Sequence, residues 1–181
     1  MGPYWSETML IGVPRAPGDE PRVALTPDAA QDLLDADQEI LLQTGAGERA
    51  GWDDEAYREV GCEIAEDRPS VLDRADILLE VEALGHAESP DLAQYRDGQI
   101  VIGQLGPYDL DAESLSKLAD RGVSTFALEL VPRISRAQSM DANSSMANVA
   151  GYKAVIRAAE WLDRLVPMQM TAAGTVYPAD V

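Results

Sequence analysis

Apolar residues in this chain come in short, nearly unbroken runs, which alternate with segments whose apolar positions recur every three or four residues. The runs predict strands at 9–13, 39–43, 62–65, 76–82, 99–103 and 123–128. Runs without polar interruption suit strands covered on both faces. Helices are predicted between them. Thr26-Pro27-Asp28 supplies an N-cap, a proline at the first helical position and an acid in the first turn, and Ala29, Leu33 and Leu34 carry the apolar face. Asp53 opens a short helix that Gly61 closes, 69–74 gives a helical turn or two, and 111–120 gives another helix. Strand and helix therefore alternate through residue 130. This order predicts an α/β fold, an open and mostly parallel sheet with helices on both faces. One strand departs from the pattern. In 76–82, Leu78, Glu80 and Glu82 share a side, and the two acids are expected at the solvated C-terminal end of the strand, the edge where such sheets gather ligands.

An extended apolar run at 125–132 leads into Arg133-Ile-Ser-Arg-Ala-Gln-Ser-Met-Asp141 and Ala-Asn-Ser144-Ser-Met-Ala-Asn148. A loop this rich in donors, placed between a strand and a helix, stands where α/β proteins put binding groups. From 142 to 166 Met146, Val149, Ile156, Ala159, Leu162 and Val166 keep helical spacing, while Ala147, Ala150, Gly151, Ala154 and Ala158 keep the rod slim. Such a helix spans roughly 35 Å and is expected to end at Pro167. Residues 171–181 read as extended. The expected organisation is an α/β domain over 1–141, ending in the loop 133–141, then a connecting helix and extended segment over 142–181.

Charge narrows the partners. The chain has 32 Asp and Glu against 14 Lys and Arg, a net charge of −18, and only Lys117 and Lys153 are lysines. Such a surface repels nucleic acid phosphates and anionic lipid, so neither is an expected partner. The acids are scattered among apolar positions, unlike a disordered acidic tail. Acid excess with scarce lysine points to a halophilic source, where salt screens self-repulsion; an acidic cytosolic protein is the plainer alternative. No secretory leader is visible and no apolar run reaches the roughly 18 residues of a membrane span, so a soluble intracellular chain is expected.

Most chemical motifs fall away. Gly45-Ala-Gly47 with Gly51 is one residue off a dinucleotide fingerprint, follows the second strand instead of the first, and neighbours Glu48, Asp53 and Asp54; it reads as a turn. His86 is the single histidine and lacks a discernible orienting partner. Cys62 reads as a small core residue, and one His with one Cys gives no soft-ligand metal site. The loop after Pro132 remains. An arginine to donate and an aspartate to accept match the carboxamide of a nicotinamide, Gln138 can do either, and Ser144 adds a hydroxyl. The plainer role is capping of the long helix by Asp141 or Ser139. The two roles are compatible.

These residues carry a resemblance. Arg22-Val-Ala-Leu-Thr-Pro27, Gly45-Ala-Gly47 and the element order resemble the N-terminal domain shared by alanine dehydrogenase and the NAD(H)-binding alpha subunit of proton-translocating NAD(P) transhydrogenase. Pro132-Arg-Ile-Ser-Arg-Ala-Gln-Ser-Met-Asp141, Ser144-Ser-Met-Ala-Asn148-Val-Ala-Gly-Tyr152 and Thr171-Ala-Ala-Gly174 resemble the transhydrogenase and fit alanine dehydrogenase poorly. Alanine dehydrogenases carry a Lys in the strand that here holds Glu80, and a catalytic His near Leu105-Gly106, where this chain has none. Reductive amination requires proton transfer, whereas a hydride passes directly between two nicotinamides held about 3–3.5 Å apart. The resemblance implies that Arg133 and Asp141 orient the carboxamide of NAD(H) and that Gln138 bridges toward the ribose and the NADP(H)-binding subunit. Gln138 and Asp141 would serve the hydride transfer itself. Ser144 completes the set, and Ser135 and Arg136 share the loop. It further implies a Rossmann-like fold without its own fingerprint, a partner chain or domain carrying the GxGxxG turn, and NADP(H) on another subunit. Membrane subunits driven by protons, a homodimer, and a place at the inner face of the cell membrane through those partners also follow. A subunit split between two chains is expected over a truncated one. An alanine dehydrogenase-like fragment and a non-catalytic binding module of the same fold are the alternatives.

Overall fold

The computed structural model describes residues 8–84 and 92–178; His86 lies outside them. The chain forms two compact units, Met1–Val131 and Pro132–Val181.

The first unit is built on six strands: β1 (Leu10–Val13), β2 (Glu39–Gln43), β3 (Glu63–Ala65), β4 (Ile77–Glu80), β5 (Ile100–Gly103) and β6 (Ser124–Ala127). All adjacent pairs are parallel and the order is β3-β2-β1-β4-β5-β6. The chain reverses its direction of growth between β1 and β4, which makes their C-terminal ends the switch point of the sheet. Helices α1 (Pro27–Leu34), α2 (Asp54–Val60), α3 (Arg68–Arg74) and α4 (Ala112–Asp120) connect the strands. The α/β expectation holds, and the boundaries differ from it by a residue or two at most ends.

Alternation along each strand divides the core into two layers. Ile11, Val13, Ile40 and Leu42 pack with Ala30 of α1, Tyr57 of α2 and Cys62. Leu41, Leu78 and Val101 pack on the other side with Val71 and Leu72 of α3, Leu118 of α4 and Tyr95. Each large side chain so buried contributes roughly 1.5–3 kcal/mol. Cys62 is the small core residue expected, and burial pushes its thiol up to about 11. Gly12 lets α3 approach: a Cβ there would lie 2.6 Å from Ala75 Cβ and 2.8 Å from Val71 Cγ1. Gln99, fully buried, donates to Leu72 O and Ala75 O at 2.8 Å each and so satisfies carbonyls at the end of α3.

Three helices of this unit are capped by acids. Asp53, Asp67 and Asp111 accept from the backbone N–H of Ala56, Ser70 and Ser114 at 2.9, 2.9 and 2.7 Å, each contributing about 1 kcal/mol. The Gly45-Ala-Gly47 stretch is a turn, as expected. Gly45 and Gly51 take φ of +70° and +94°, and Gly45 N–H donates to Asp54 Oδ1 at 2.8 Å.

The run after Val123 is not one long strand. β6 stops at Ala127 and a 3-10 turn occupies Leu128–Leu130, fixed by Glu129, whose Oε1 accepts from Gly106 N–H at 2.9 Å.

In the second unit, a 3-10 helix over Ser135–Met140 precedes α5 (Ala142–Trp161). The helix ends at Trp161, short of the expected Val166. Pro167 lacks an N–H and its ring clashes with a helical carbonyl four residues earlier, so its effect reaches back to residue 163. The segment read as extended is an antiparallel hairpin, β7 (Gln169–Thr171) with β8 (Gly174–Val176). Thr171 Oγ1 tightens it, donating to Gly174 O at 3.0 Å and accepting from Ala173 N–H at 3.3 Å. Its two loop residues, Ala172 and Ala173, lack the Asn-Gly or Asp-Gly signature of a hairpin turn. Among the described residues no helix is long and apolar enough to cross a membrane.

Candidate functional site

The segment from Arg133 folds because its backbone finds partners locally. Ile134 N–H donates to Pro132 O and Ala137 N–H to Ile134 O, both at 2.9 Å. Asp141 then caps α5. Its Oδ1 accepts from Ser144 N–H at 2.8 Å, its Oδ2 accepts from Ser144 Oγ at 2.6 Å, and its carbonyl accepts from Ser145 Oγ at 3.1 Å. Of the two capping residues considered, Asp141 is the one used. The Ser144 hydroxyl and backbone N–H hold its carboxyl below the ordinary carboxylate range, with Arg133 adding to the effect. It is therefore an anion at neutral pH.

Arg133, Gln138, Asp141 and Ser144 line one cavity of about 440 Å³ together with Ser145 and Asn148. Ser135 and Arg136 belong to the same 3-10 helix and stand outside that lining. Ser145 and Asn148 were not singled out from sequence. With α5 starting at Ala142, positions 141, 144, 145 and 148 fall on one helical face.

The set has a defined polarity. Arg133 offers donors and Gln138 an amide, and neither side chain hydrogen-bonds another described residue. Ser144 gives its hydroxyl proton to Asp141, so it presents lone pairs. Asp141 has both oxygens engaged and retains a second lone pair on each. One cation with donors and two acceptors thus meet at one cavity, which is what a planar carboxamide requires. The donors and acceptors together suit an amide-bearing ligand.

The C-terminal edge of the sheet differs from expectation. Glu80 is not solvated: it is 4% exposed. Arg68 Nη2 donates to both of its oxygens at 3.0 and 2.9 Å, and Tyr95 Oη donates to Oε1 at 3.3 Å. Burial pushes the Glu80 carboxyl up from its ordinary range, against the pull of Arg68 and Tyr95. Burial and the neighbouring Glu80 likewise raise the Tyr95 phenol. Arg68, the first residue of α3, carried no signal of its own in the sequence. Glu82 lies 3.6 Å from Arg22 Nη2, and Glu20 grips the same guanidinium through Nε and Nη2 at 2.7 Å each. Arg22 holds the Glu20 carboxyl down at about 2. Both acids of β4 and its extension are thus committed to arginines of this unit.

The family described as "Alanine dehydrogenase/PNT, N-terminal domain" matches residues 12–150. A protein named NAD(P) transhydrogenase subunit alpha, from Cereibacter sphaeroides, is 44% identical over 174 residues, covering 96% of this chain and 32% of that protein. Alanine dehydrogenase of Bacillus subtilis is 31% identical over 157 residues, covering 86% of this chain and 39% of that protein. A crystal structure of transhydrogenase from Sinorhizobium meliloti superimposes with a TM-score of 0.80 at 38% identity, over 94% of this chain and 48% of that one. The chain spans less than half the length of these relatives.

Proposed function

Because this chain belongs to the family of N-terminal domains shared by alanine dehydrogenase and PNT, we propose that it is part of the NAD(H)-binding alpha subunit of a proton-translocating transhydrogenase. The observation that carries this is the convergence of Arg133, Gln138, Asp141 and Ser144 on one cavity. The higher identity to a transhydrogenase alpha subunit than to an alanine dehydrogenase supports it.

Bound NADH supplies the hydride that is passed to NADP on another subunit. The residues of this chain orient and exclude. Arg133 donates to the carboxamide oxygen, and Asp141 with Ser144 accepts from its nitrogen. Fixing the carboxamide fixes the ring, and holding two rings at about 3–3.5 Å supplies most of what direct transfer needs. Gln138 reaches from this set toward the ribose and the facing subunit. The pyrophosphate is held by a partner chain or domain that carries the GxGxxG turn. Membrane subunits keep the assembly at the inner face of the cell membrane.

Two further features belong to this reading. The exposed apolar residues of α5, Val149, Tyr152, Val155 and Trp161 among them, support a homodimer, to be checked by sedimentation of the assembled subunit. The net charge of −18 supports a halophilic setting. The unfolding midpoint is then expected to rise steadily as KCl goes from about 0.1 to about 2 M, and a flat or falling response would remove the halophilic assignment.

The test of function is to combine this chain with its nucleotide-binding portion and titrate NADH. Binding is expected there, and Gln138→Ala should slow hydride transfer about tenfold or more while leaving NADH affinity within about twofold. NADH oxidation that depends on pyruvate and ammonia would establish alanine dehydrogenase instead. No NADH binding in the assembly would point to a non-catalytic module.

A further inference from the structure

Of the six side chains at the cavity on the second unit, Ser145 and Asn148 have no part in the reading above. Ser145 is already committed, since its hydroxyl donates to Asp141 O. Asn148 is different. It stands four residues beyond Ser144 on α5, about 6 Å further along the axis. Nothing among the described residues hydrogen-bonds its side-chain amide, and the residue lines the same cavity as Arg133 and Gln138. An uncommitted amide there offers one acceptor and two donors.

We propose that Asn148 holds the ribose hydroxyls adjacent to the nicotinamide, as a further contact residue of this site. The proposal rests on the nicotinamide reading. Arg133, Asp141 and Ser144, gathered around the first turn of α5, already match every polar group of a carboxamide. The next polar groups along a nicotinamide nucleotide are the two neighbouring hydroxyls of its ribose, each a donor and an acceptor. An amide one helical turn further on meets such a pair by accepting from one hydroxyl and donating to the other. A hydrocarbon side chain at 148 would leave Gln138 alone to meet them. The Asn148 side chain is exposed and hydrogen-bonds no other described residue, so its replacement is expected to leave α5 intact.

The experiment uses the assembled NADH-binding subunit, with NADH fluorescence giving Kd and far-ultraviolet circular dichroism monitoring the helix. Asn148→Ala is expected to weaken NADH about tenfold, the value of one well-made polar contact, with an unchanged spectrum. Asn148→Asp is expected to stay within about threefold of the parent, because a carboxylate accepts from both hydroxyls of a ribose. Two results overturn the proposal: an unchanged Kd in Asn148→Ala, or Asn148→Asp as weak as Asn148→Ala, which would match the amide to a ligand acceptor instead. Arg133→Ala separates the two layers of inference. If it weakens NADH while Asn148→Ala does not, the ribose contact fails and the nicotinamide site stands. If the parent assembly does not bind NADH, both fail together.

Discussion

Replacing Arg68 by alanine is expected to destabilise the first unit by about 3–5 kcal/mol, the scale on which a buried ion pair resists loss of one partner. The cause is Glu80, whose side chain is 2% exposed and whose two oxygens both accept from Arg68 Nη2. Without Arg68, only the Tyr95 hydroxyl faces a carboxyl that burial already raises. Loss of Arg68 removes the strongest pull against that rise. The variant's folded state therefore holds the Glu80 proton to higher pH than the parent's does, so its deficit relative to the parent should shrink as pH falls and grow as pH rises. The double variant Arg68→Leu/Glu80→Leu removes the charge with its partner and should recover most of the loss. Urea midpoints of the three proteins at about pH 4.5 and 7.5 decide this. A loss below about 1 kcal/mol in Arg68→Ala, or a double variant no better than the single, would show that Glu80 is reached by water.

Gly103→Ala should be nearly as damaging. The register pairs Glu80 with Gly103, and a Cβ at 103 would lie 1.8 Å from Glu80 O and 2.8 Å from Glu80 C. Backbone of a central strand, not a movable side-chain tip, stands in the way. The two strands must separate or the pairing must end early, at about 3 kcal/mol or more. Gly151→Ala is the control, because a Cβ there has no neighbour within 4 Å. In α5 that change should gain roughly 0.5–1 kcal/mol from helix propensity. Equal thermal midpoints for the two variants would refute the steric account.

Both predictions centre on β4, and β4 marks how far the sequence could be read. Period and punctuation identified every strand of the six-stranded sheet, since an apolar run closed by Gly or Asp needs no knowledge of distant contacts. The helix from Asp54 to Val60 was legible to the residue, because Asp53 and Gly61 are local signals. Glu80 was misread for the opposite reason. Its fate depends on Arg68, which reaches it from another element, and long-range pairing leaves no mark on periodicity. The hairpin was missed because Ala172-Ala173 carries no turn chemistry. The cavity was half legible. Arg133, Gln138, Asp141 and Ser144 stood out as polar residues in a specific run, whereas Ser145 and Asn148 emerge only once the helix start at Ala142 fixes which residues share a face.

The acid caps constrain how far this surface could be re-engineered. Four of the 32 acids, Asp53, Asp67, Asp111 and Asp141, begin helices by accepting backbone N–H groups. Conversion of surface acids to lysine, the obvious route to a variant tolerant of dilute buffer, would treat these four like the rest. Asparagine or serine can stand in at such positions and lysine cannot. In a charge-swapped library each of these four positions changed to lysine would therefore cost about 1 kcal/mol, so the more stable members should be enriched in a short side-chain oxygen at all four.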